Sequence, residues 1–133
     1  MPRQNLRILL VEDHPFQLIS IQVLLNNQGH FLLTPALNAA EAFSAMQRSE
    51  EPFDLLLCDQ GLPDLPGLEL IDQAWRKAMV RQAILLSGVD DEALQALGAN
   101  ARQRGIPLLG CLSKPLHGPD LARLLANLPE TDT

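Results

Sequence analysis

The sequence predicts an α/β fold in which a five-stranded parallel sheet carries helices on both of its faces. Short apolar runs alternate five times with helix-like stretches along the 133 residues. The runs are continuous rather than alternating between apolar and polar residues, which is typical of strands buried on both faces. Short connections and right-handed crossovers leave few topologies for such a chain.

The first βα unit begins with an apolar strand over residues 6–11. A helix is expected over 15–28, because apolar residues recur there at three- and four-residue steps and give one buried stripe. Pro15 suits the first helical turn, and Gly29 suits the end of the helix.

The second unit begins with a strand over 31–35, followed by a helix that ends near Arg48. Asn38 is expected to cap that helix. Glu41 stands three residues later, where it would complete a capping box.

The third unit has a strand over 53–58, directly followed by Asp59. The next segment, 60–67, holds two prolines and two glycines and is therefore expected to be a loop. The other predicted elements are a helix over 68–79, a strand over 83–86, a helix that starts at the acidic residues 90–92 and ends near 104–105, a strand over 106–112 and a helix over 119–127.

The composition of the chain argues against nucleic-acid-binding and membrane-spanning proteins. The net charge is −6 and the ten basic residues are scattered, so a nucleic-acid surface is not expected. No apolar stretch reaches the roughly 20 residues of a membrane helix, and no signal region precedes the first strand. Cys58 and Cys111 lie in apolar runs and are expected to be buried, reduced thiols of a cytoplasmic protein. Residues 1–133 are expected to form one domain, with its core at about 6–128 and a frayed tail after Leu128. The domain is expected to come from a longer protein.

Polar side chains follow four of the five strands. Ligands of open parallel sheets bind outside the carboxyl ends of the strands, near the point where the strand order reverses. The residues at these ends are Glu12 and Asp13 after the first strand, Asp59 after the third, Ser87 after the fourth and Lys114 after the fifth. We expect these side chains to converge at one rim.

Three clustered carboxylates predict a bound cation. Two charges about 4 Å apart repel by about 4 kcal/mol at an effective dielectric of about 20. Mg²⁺ would remove that cost, with Asp13 and Asp59 as ligands and Glu12 acting through water. A carboxylate beside such a cation can attack phosphorus. Lys114 would then neutralise the transferring group, and Ser87 would donate a hydrogen bond to it.

Four short motifs stand at these strand ends. They are Val11-Glu12-Asp13, Asp59 with Pro63 and Gly67 four and eight residues beyond it, Leu86-Ser87-Gly88, and Ser113-Lys114-Pro115. With all of them in order, the chain resembles response-regulator receiver domains over about residues 6–128. The resemblance implies a CheY-like, flavodoxin-like (βα)₅ sandwich with strand order 2-1-3-4-5.

The resemblance also implies a signalling role in a two-component phosphorelay. Asp59 would accept a phosphoryl group from a sensor histidine kinase or phosphotransfer protein, in a Mg²⁺-dependent reaction. The domain would not be an enzyme beyond its own phosphorylation and dephosphorylation, and it would switch an output domain or a protein partner. Self-association through helix four, strand five and helix five is a further candidate interaction. The implied metal ligands are Glu12, Asp13, Asp59 and the backbone carbonyl of Gly61.

One position departs from the family pattern. Receivers usually carry Tyr or Phe three residues before the lysine, and its rotamer reports phosphorylation; here Cys111 stands there. We expect the phosphorylation chemistry to survive without this aromatic switch. The signal would then pass through the loop after Ser87 and the fourth helix, or through changed self-association. The Lys114–Pro115 bond is expected to be cis, as is frequent in the family.

Other functions stay open at this point. An interaction-only pseudo-receiver would share the fold without being phosphorylated, although no acidic or lysine position is lost here. A flavodoxin-like cofactor binder would need a phosphate-binding loop where Glu12 and Asp13 stand, and a haloacid-dehalogenase-type phosphatase would need Asp where Gly61 stands. Segments 12–17 and 109–115 are similar to receivers fused to EAL-type cyclic-di-GMP phosphodiesterases.

Some residues also have simpler interpretations. Asp13 is expected to cap the first helix as well. Cys58 is expected to be inert core, and Trp75 to pack the third helix with partial exposure. The histidines expected at the surface are His14, His30 and His117, with control of water access as the functional alternative for His14.

Overall fold

The computed structural model describes residues 5–128 and contains five strands that alternate with five helices. No helix in this range is both long and apolar enough to span a membrane. The tail after Leu128, expected to be frayed, lies outside the described residues. The elements are β1 (Arg7–Val11), α1 (Pro15–Asn27), β2 (Leu32–Ala36), α2 (Ala39–Arg48), β3 (Leu55–Asp59), α3 (Gly67–Arg76), β4 (Ala83–Ser87), α4 (Asp91–Gln103), β5 (Leu108–Ser113) and α5 (Gly118–Leu125).

All five strands are parallel, and their order is β2-β1-β3-β4-β5, which confirms the predicted topology. The register aligns the carboxyl ends of the central strands. The paired residues at these ends are Val11 with Cys58, Asp59 with Leu86, and Ser87 with Ser113. The side chains that follow these positions therefore share one edge of the sheet.

Alternate residues of each central strand pack on opposite faces, as the pleat requires. On β1, Ile8 and Leu10 face α1 and α5, whereas Leu9 and Val11 face the layer of α2, α3 and α4. The sheet therefore lies between two helical layers, and the continuous apolar runs of the sequence reflect burial on both faces.

Several element ends differ from the sequence expectation by one to three residues. Phe53 makes only an isolated bridge to Val80, so β3 starts two residues later than predicted. Strand β5 starts at Leu108 rather than at residue 106, and α3 ends at Arg76 rather than at residue 79. Ala78 has a positive φ of 57°, outside the right-handed helical region, so α3 ends before residue 79.

The predicted cap of α2 is confirmed, whereas the predicted cap of α1 is wrong. Asn38 accepts a hydrogen bond from the Glu41 N–H at 2.8 Å, and the Glu41 carboxylate accepts from the N–H of Leu37. In α1 the N-cap residue is His14, which makes no side-chain cap bond. Asp13 lies one residue too early to cap this helix, so its carboxylate remains available at the rim.

His30 corrects another expectation, because it is buried rather than at the surface. The turn that ends α1 folds back on the helix, and the His30 N–H donates to the carbonyl of Leu25 at 2.9 Å. Burial lowers the pKa of the imidazole below its ordinary value. His14 and His117 are exposed and Trp75 is partly exposed, as predicted.

Strand β2 forms one edge of the sheet. Pro35, near its end, has no N–H to donate, which is tolerated at an edge strand. Leu32, the first residue of this strand, and Phe31 just before it expose large apolar side chains.

Gly67 allows the loop after β3 to fold back against the strand that it leaves. Its N–H donates to the carbonyl of Gln60 at 3.0 Å. A Cβ on residue 67 would lie 2.3 Å from the backbone oxygen of Asp59. The backbone of α3 therefore approaches the end of β3 more closely than any side chain would permit.

An ion cluster joins the end of α4 to α3. The Arg104 guanidinium donates to both carboxylate oxygens of Glu69, at 2.7 and 3.1 Å, and to Asp72 at 2.7 Å. Arg76 donates to the other Asp72 oxygen at 2.7 Å. The pKa of Asp72 is lowered by Arg76 and then by Arg104, and the pKa of Glu69 is lowered by Arg104.

We expect Gly67→Ala to lower the free energy of unfolding by about 1–3 kcal/mol, because the new methyl group would overlap backbone atoms that cannot rotate away. Urea unfolding followed by circular dichroism measures the loss. Gly88→Ala is the matched control, since a Cβ there meets no atom within 4 Å. Equal stability of the two variants would contradict the close approach.

The Arg104 cluster should make stability depend on pH. Glu69 and Asp72 have lowered pKa values in the folded protein. Their ion pairs with Arg104 therefore stabilise the fold fully above the ordinary carboxyl pKa of about 4, and this stabilisation is lost as the pH falls through the pKa values of the folded protein. We expect Arg104→Met to destabilise the domain at neutral pH, with the gap to wild type closing between about pH 5 and about pH 2. Thermal unfolding across this range measures the gap. Arg102→Met is the control, because Arg102 is an exposed arginine in the last turn of α4. A gap between Arg104→Met and wild type that does not depend on pH would refute the ionic interpretation.

Candidate functional site

The carboxyl ends of β1, β3 and β5 bring a lysine between two carboxylates. The Lys114 ammonium lies 3.2 Å from Asp59 Oδ1 and 3.2 Å from Glu12 Oε2. These three residues were predicted to converge at the rim, and the structure brings them into direct contact. Residues separated by 102 positions thus share one hydrogen bond.

Both carboxylates are buried: Glu12 is 0% exposed and Asp59 is 3% exposed. Burial raises the pKa of Glu12 above its ordinary value, and the Asp59 charge raises it further, although Lys114 opposes both effects. Burial alone would lower the pKa of Lys114, but the Asp59 and Glu12 carboxylates outweigh it, so that pKa is raised. The single positive charge of Lys114 therefore balances only one of the two carboxylates, and the site retains an excess of negative charge.

Asp13 and His14 extend the acidic rim on the side of β1. Ligand atoms of Glu12, Asp13 and His14 all lie within 4.8 Å of one another. Within residues 5–128, Asp13 Oδ1 is a buried oxygen without a hydrogen-bond partner, and His14 Nε2 lies 3.8 Å from it. A buried carboxylate oxygen that lacks a donor is suited to a hard cation.

Gly61 lies beside the other oxygen of Asp59. A Cβ built on this glycine would be 3.7 Å from Asp59 Oδ2. The predicted ligand set of Glu12, Asp13, Asp59 and Gly61 therefore lies around one end of β3. His14 was expected as an exposed loop residue, with control of water access as the alternative, and its ring lies near Glu12 and Asp13.

Ser87 is buried at the end of β4, and its Oγ accepts from the Val89 N–H at 3.3 Å. A serine hydroxyl that accepts can still donate its own proton. The Ser87 carbonyl accepts the Lys114 backbone N–H at 2.9 Å, which fixes the ends of β4 and β5 to each other. The Lys114–Pro115 peptide bond is cis, as the resemblance implied.

Gln17, in the first turns of α1, is a contact that the sequence did not indicate. Its Oε1 accepts from the Lys114 ammonium at 3.0 Å. Both residues line an open groove of about 610 Å³ between α1 and the start of the β5–α5 connection. The only sequence signal was the placement of Gln17 one turn after the acidic pair.

The two cysteines differ in their surroundings. Cys58 is fully buried, and burial followed by the charges of Asp59 and Glu12 raises the pKa of its thiol, as expected for inert core. Cys111 was expected to be buried but is only half-buried, because β5 is an edge strand. Its Sγ lies 3.6 Å from the position of a Cβ on Gly98 of α4.

Comparison with known proteins gives the family. The sequence matches the response regulator receiver domain family over residues 8–126. The sensor protein TorS of Escherichia coli is 34% identical over 125 residues, which are 92% of this chain and 13% of TorS. The transcriptional regulatory protein KdpE of Mycobacterium tuberculosis is 31% identical over 98 residues, 71% of this chain and 41% of KdpE. The chain thus spans less than half the length of either relative.

Solved structures show the same fold. A receiver domain from Clostridium thermocellum superposes with a TM-score of 0.77 at 21% identity, over 92% of each chain. A CheY-like receiver domain from Methanospirillum hungatei has a TM-score of 0.75 at 24% identity, over 92% of this chain and 91% of the other. With the family match over most of its length, this chain belongs to the response-regulator receiver domains of two-component systems.

Proposed function

We propose that this domain is a phosphorylation-dependent switch in which Asp59 accepts a phosphoryl group from a histidine kinase or phosphotransfer protein. The observation that carries the proposal is the Lys114 ammonium 3.2 Å from Asp59 Oδ1, beside an acidic pair and a buried serine hydroxyl. No position of this set is missing, so an interaction-only receiver is not favoured.

In the proposed reaction an oxygen of Asp59 attacks the phosphorus of a phosphohistidine. The new P–O bond forms as the P–N bond breaks, and its electron pair leaves with the imidazole nitrogen, which takes up a proton from solvent. Lys114 binds a phosphoryl oxygen, and the Ser87 hydroxyl donates to another. Such charge neutralisation is the main requirement of phosphoryl transfer. Water attack on the same phosphorus would reverse the modification.

Mg²⁺ fits this site. Asp13 offers a buried oxygen without a hydrogen-bond partner within residues 5–128, and the Asp59 charge adds to burial in raising the pKa of Glu12. The proposed ligands are the carboxylates of Glu12, Asp13 and Asp59 and the carbonyl of Gly61. When bound, Mg²⁺ would neutralise charge on the carboxylates and on phosphoryl oxygens.

The output is proposed to lie in another domain or protein. With Cys111 in place of an aromatic switch, the signal would pass through the loop after Ser87 and α4, or through association of copies by α4, β5 and α5. An EAL-type output remains a prediction from two short segments. The free thiols of Cys58 and Cys111 are consistent with a cytoplasmic protein, and fusion to a longer regulator fits the coverage of the relatives.

Asp59→Asn should abolish phosphorylation by acetyl phosphate in the presence of Mg²⁺, because an amide oxygen is a poor nucleophile. Intact-protein mass spectrometry detects the phosphoryl group. Asp91→Asn is the control, since it removes an exposed carboxylate at the start of α4. Labelling of the Asp59→Asn protein at the wild-type rate would rule out Asp59 as the acceptor.

Asp13→Asn should weaken Mg²⁺ binding by about tenfold or more, since proteins hold Mg²⁺ with only one or two carboxylates. Isothermal titration of the unphosphorylated domain measures the dissociation constant. Asp120→Asn, at the start of α5, serves as the control. Unchanged affinity would place the cation elsewhere.

A further inference from the structure

The ammonium of Lys114 lies close to three side-chain oxygens of the described residues. An ammonium has three N–H groups and no acceptor. Within residues 5–128, the ammonium donates to Glu12 Oε2 at 3.2 Å and to Gln17 Oε1 at 3.0 Å, and it forms an ion pair with Asp59 Oδ1 at 3.2 Å. Because an ammonium can only donate, the amide atom that faces it must be the oxygen.

A phosphoryl oxygen that approaches Asp59 therefore competes with these oxygens for the ammonium before the new bond forms. The two carboxylates are buried and charged, and hydrogen bonds between ionised groups are roughly twice as strong as neutral ones. Gln17 is neutral and exposed, and water can replace its contact. Its amide is thus the weakest of the three acceptors.

We propose that Gln17 is a positioning residue that occupies the phosphoryl-binding N–H of Lys114 until a phosphoryl oxygen displaces it. The inference rests on the proposed phosphorylation of Asp59. Gln17 holds the ammonium at the mouth of the groove between α1 and the β5–α5 connection, aimed at the place where the phosphoryl oxygen arrives. It also sets an energetic threshold, since each phosphorylation must break the amide contact first.

The threshold predicts opposite effects for two substitutions. Gln17→Ala removes the competing acceptor, and the specificity constant for acetyl phosphate should rise by roughly three- to tenfold, the size of one net hydrogen bond. Gln17→Glu keeps the size of the side chain but binds the ammonium more tightly, and the same constant should fall by at least about threefold. A purely structural role would move both variants in the same direction.

The test measures phosphorylation by acetyl phosphate with saturating Mg²⁺ in wild type, Gln17→Ala, Gln17→Glu and Gln22→Ala. Gln22 lies on the same helix and outside the groove lining, so its variant should match wild type. NMR of the lysine side-chain nitrogen in the unphosphorylated proteins adds a readout that needs no phosphorylation. The Lys114 signal should shift in both Gln17 variants and stay in place in Gln22→Ala.

Three results separate the proposals. If Lys114 does not shift in the Gln17 variants, or if both variants are phosphorylated at the wild-type rate, Gln17 does not hold the ammonium and the inference is overturned. If both variants slow to the same extent, Gln17 supports α1 and sets no threshold. If wild type itself takes up no phosphoryl group, the proposed function fails, and the NMR result alone then decides whether Gln17 positions Lys114.

Discussion

The ammonium of Lys114 lies between two buried carboxylates that belong to different strands, Glu12 after β1 and Asp59 at the end of β3. Without it, two like charges would face each other in a site that water reaches poorly. The parallel register brings the strand ends together, and the absence of a side chain at Gly67 lets α3 pack against Asp59. Burial and then the Asp59 charge raise the pKa of Glu12, although Lys114 opposes both effects.

Much of this arrangement could be predicted because it depends on strand ends. Parallel strands buried on both faces leave continuous apolar runs, and the polar residue after each run must lie at one edge. Contacts between long side chains that are far apart in sequence leave no comparable pattern in the sequence. Arg104 reaches Glu69 across 35 residues, and Gln17 reaches Lys114 across 97. His30 was misassigned for a related reason: a turn decided its burial, and hydrophobic patterns do not encode turns that fold back.

The Sγ of Cys111 lies 3.6 Å from the place that a Cβ on Gly98 would occupy, which bears on how a signal would pass to α4. Where the family places an aromatic ring, β5 carries a small thiol, and α4 carries a glycine opposite it. Neither residue has a bulky rotamer that could alternate between two positions. The far end of α4 is bound to α3 through Arg104. Helix α4 is thus restrained at its C-terminal end, while its N-terminal end follows the loop after Ser87.

The proline in β2 has a consequence for the behaviour of the isolated domain. An edge strand with exposed apolar side chains, such as Phe31 and Leu32, is a template on which a strand of another molecule can add. Pro35 removes a donor from that edge, so an added strand could not continue its hydrogen bonding along it. The sheet is in this way protected against edge-to-edge aggregation at β2, and copies that meet there can pack side chains but cannot form a continuous intermolecular sheet.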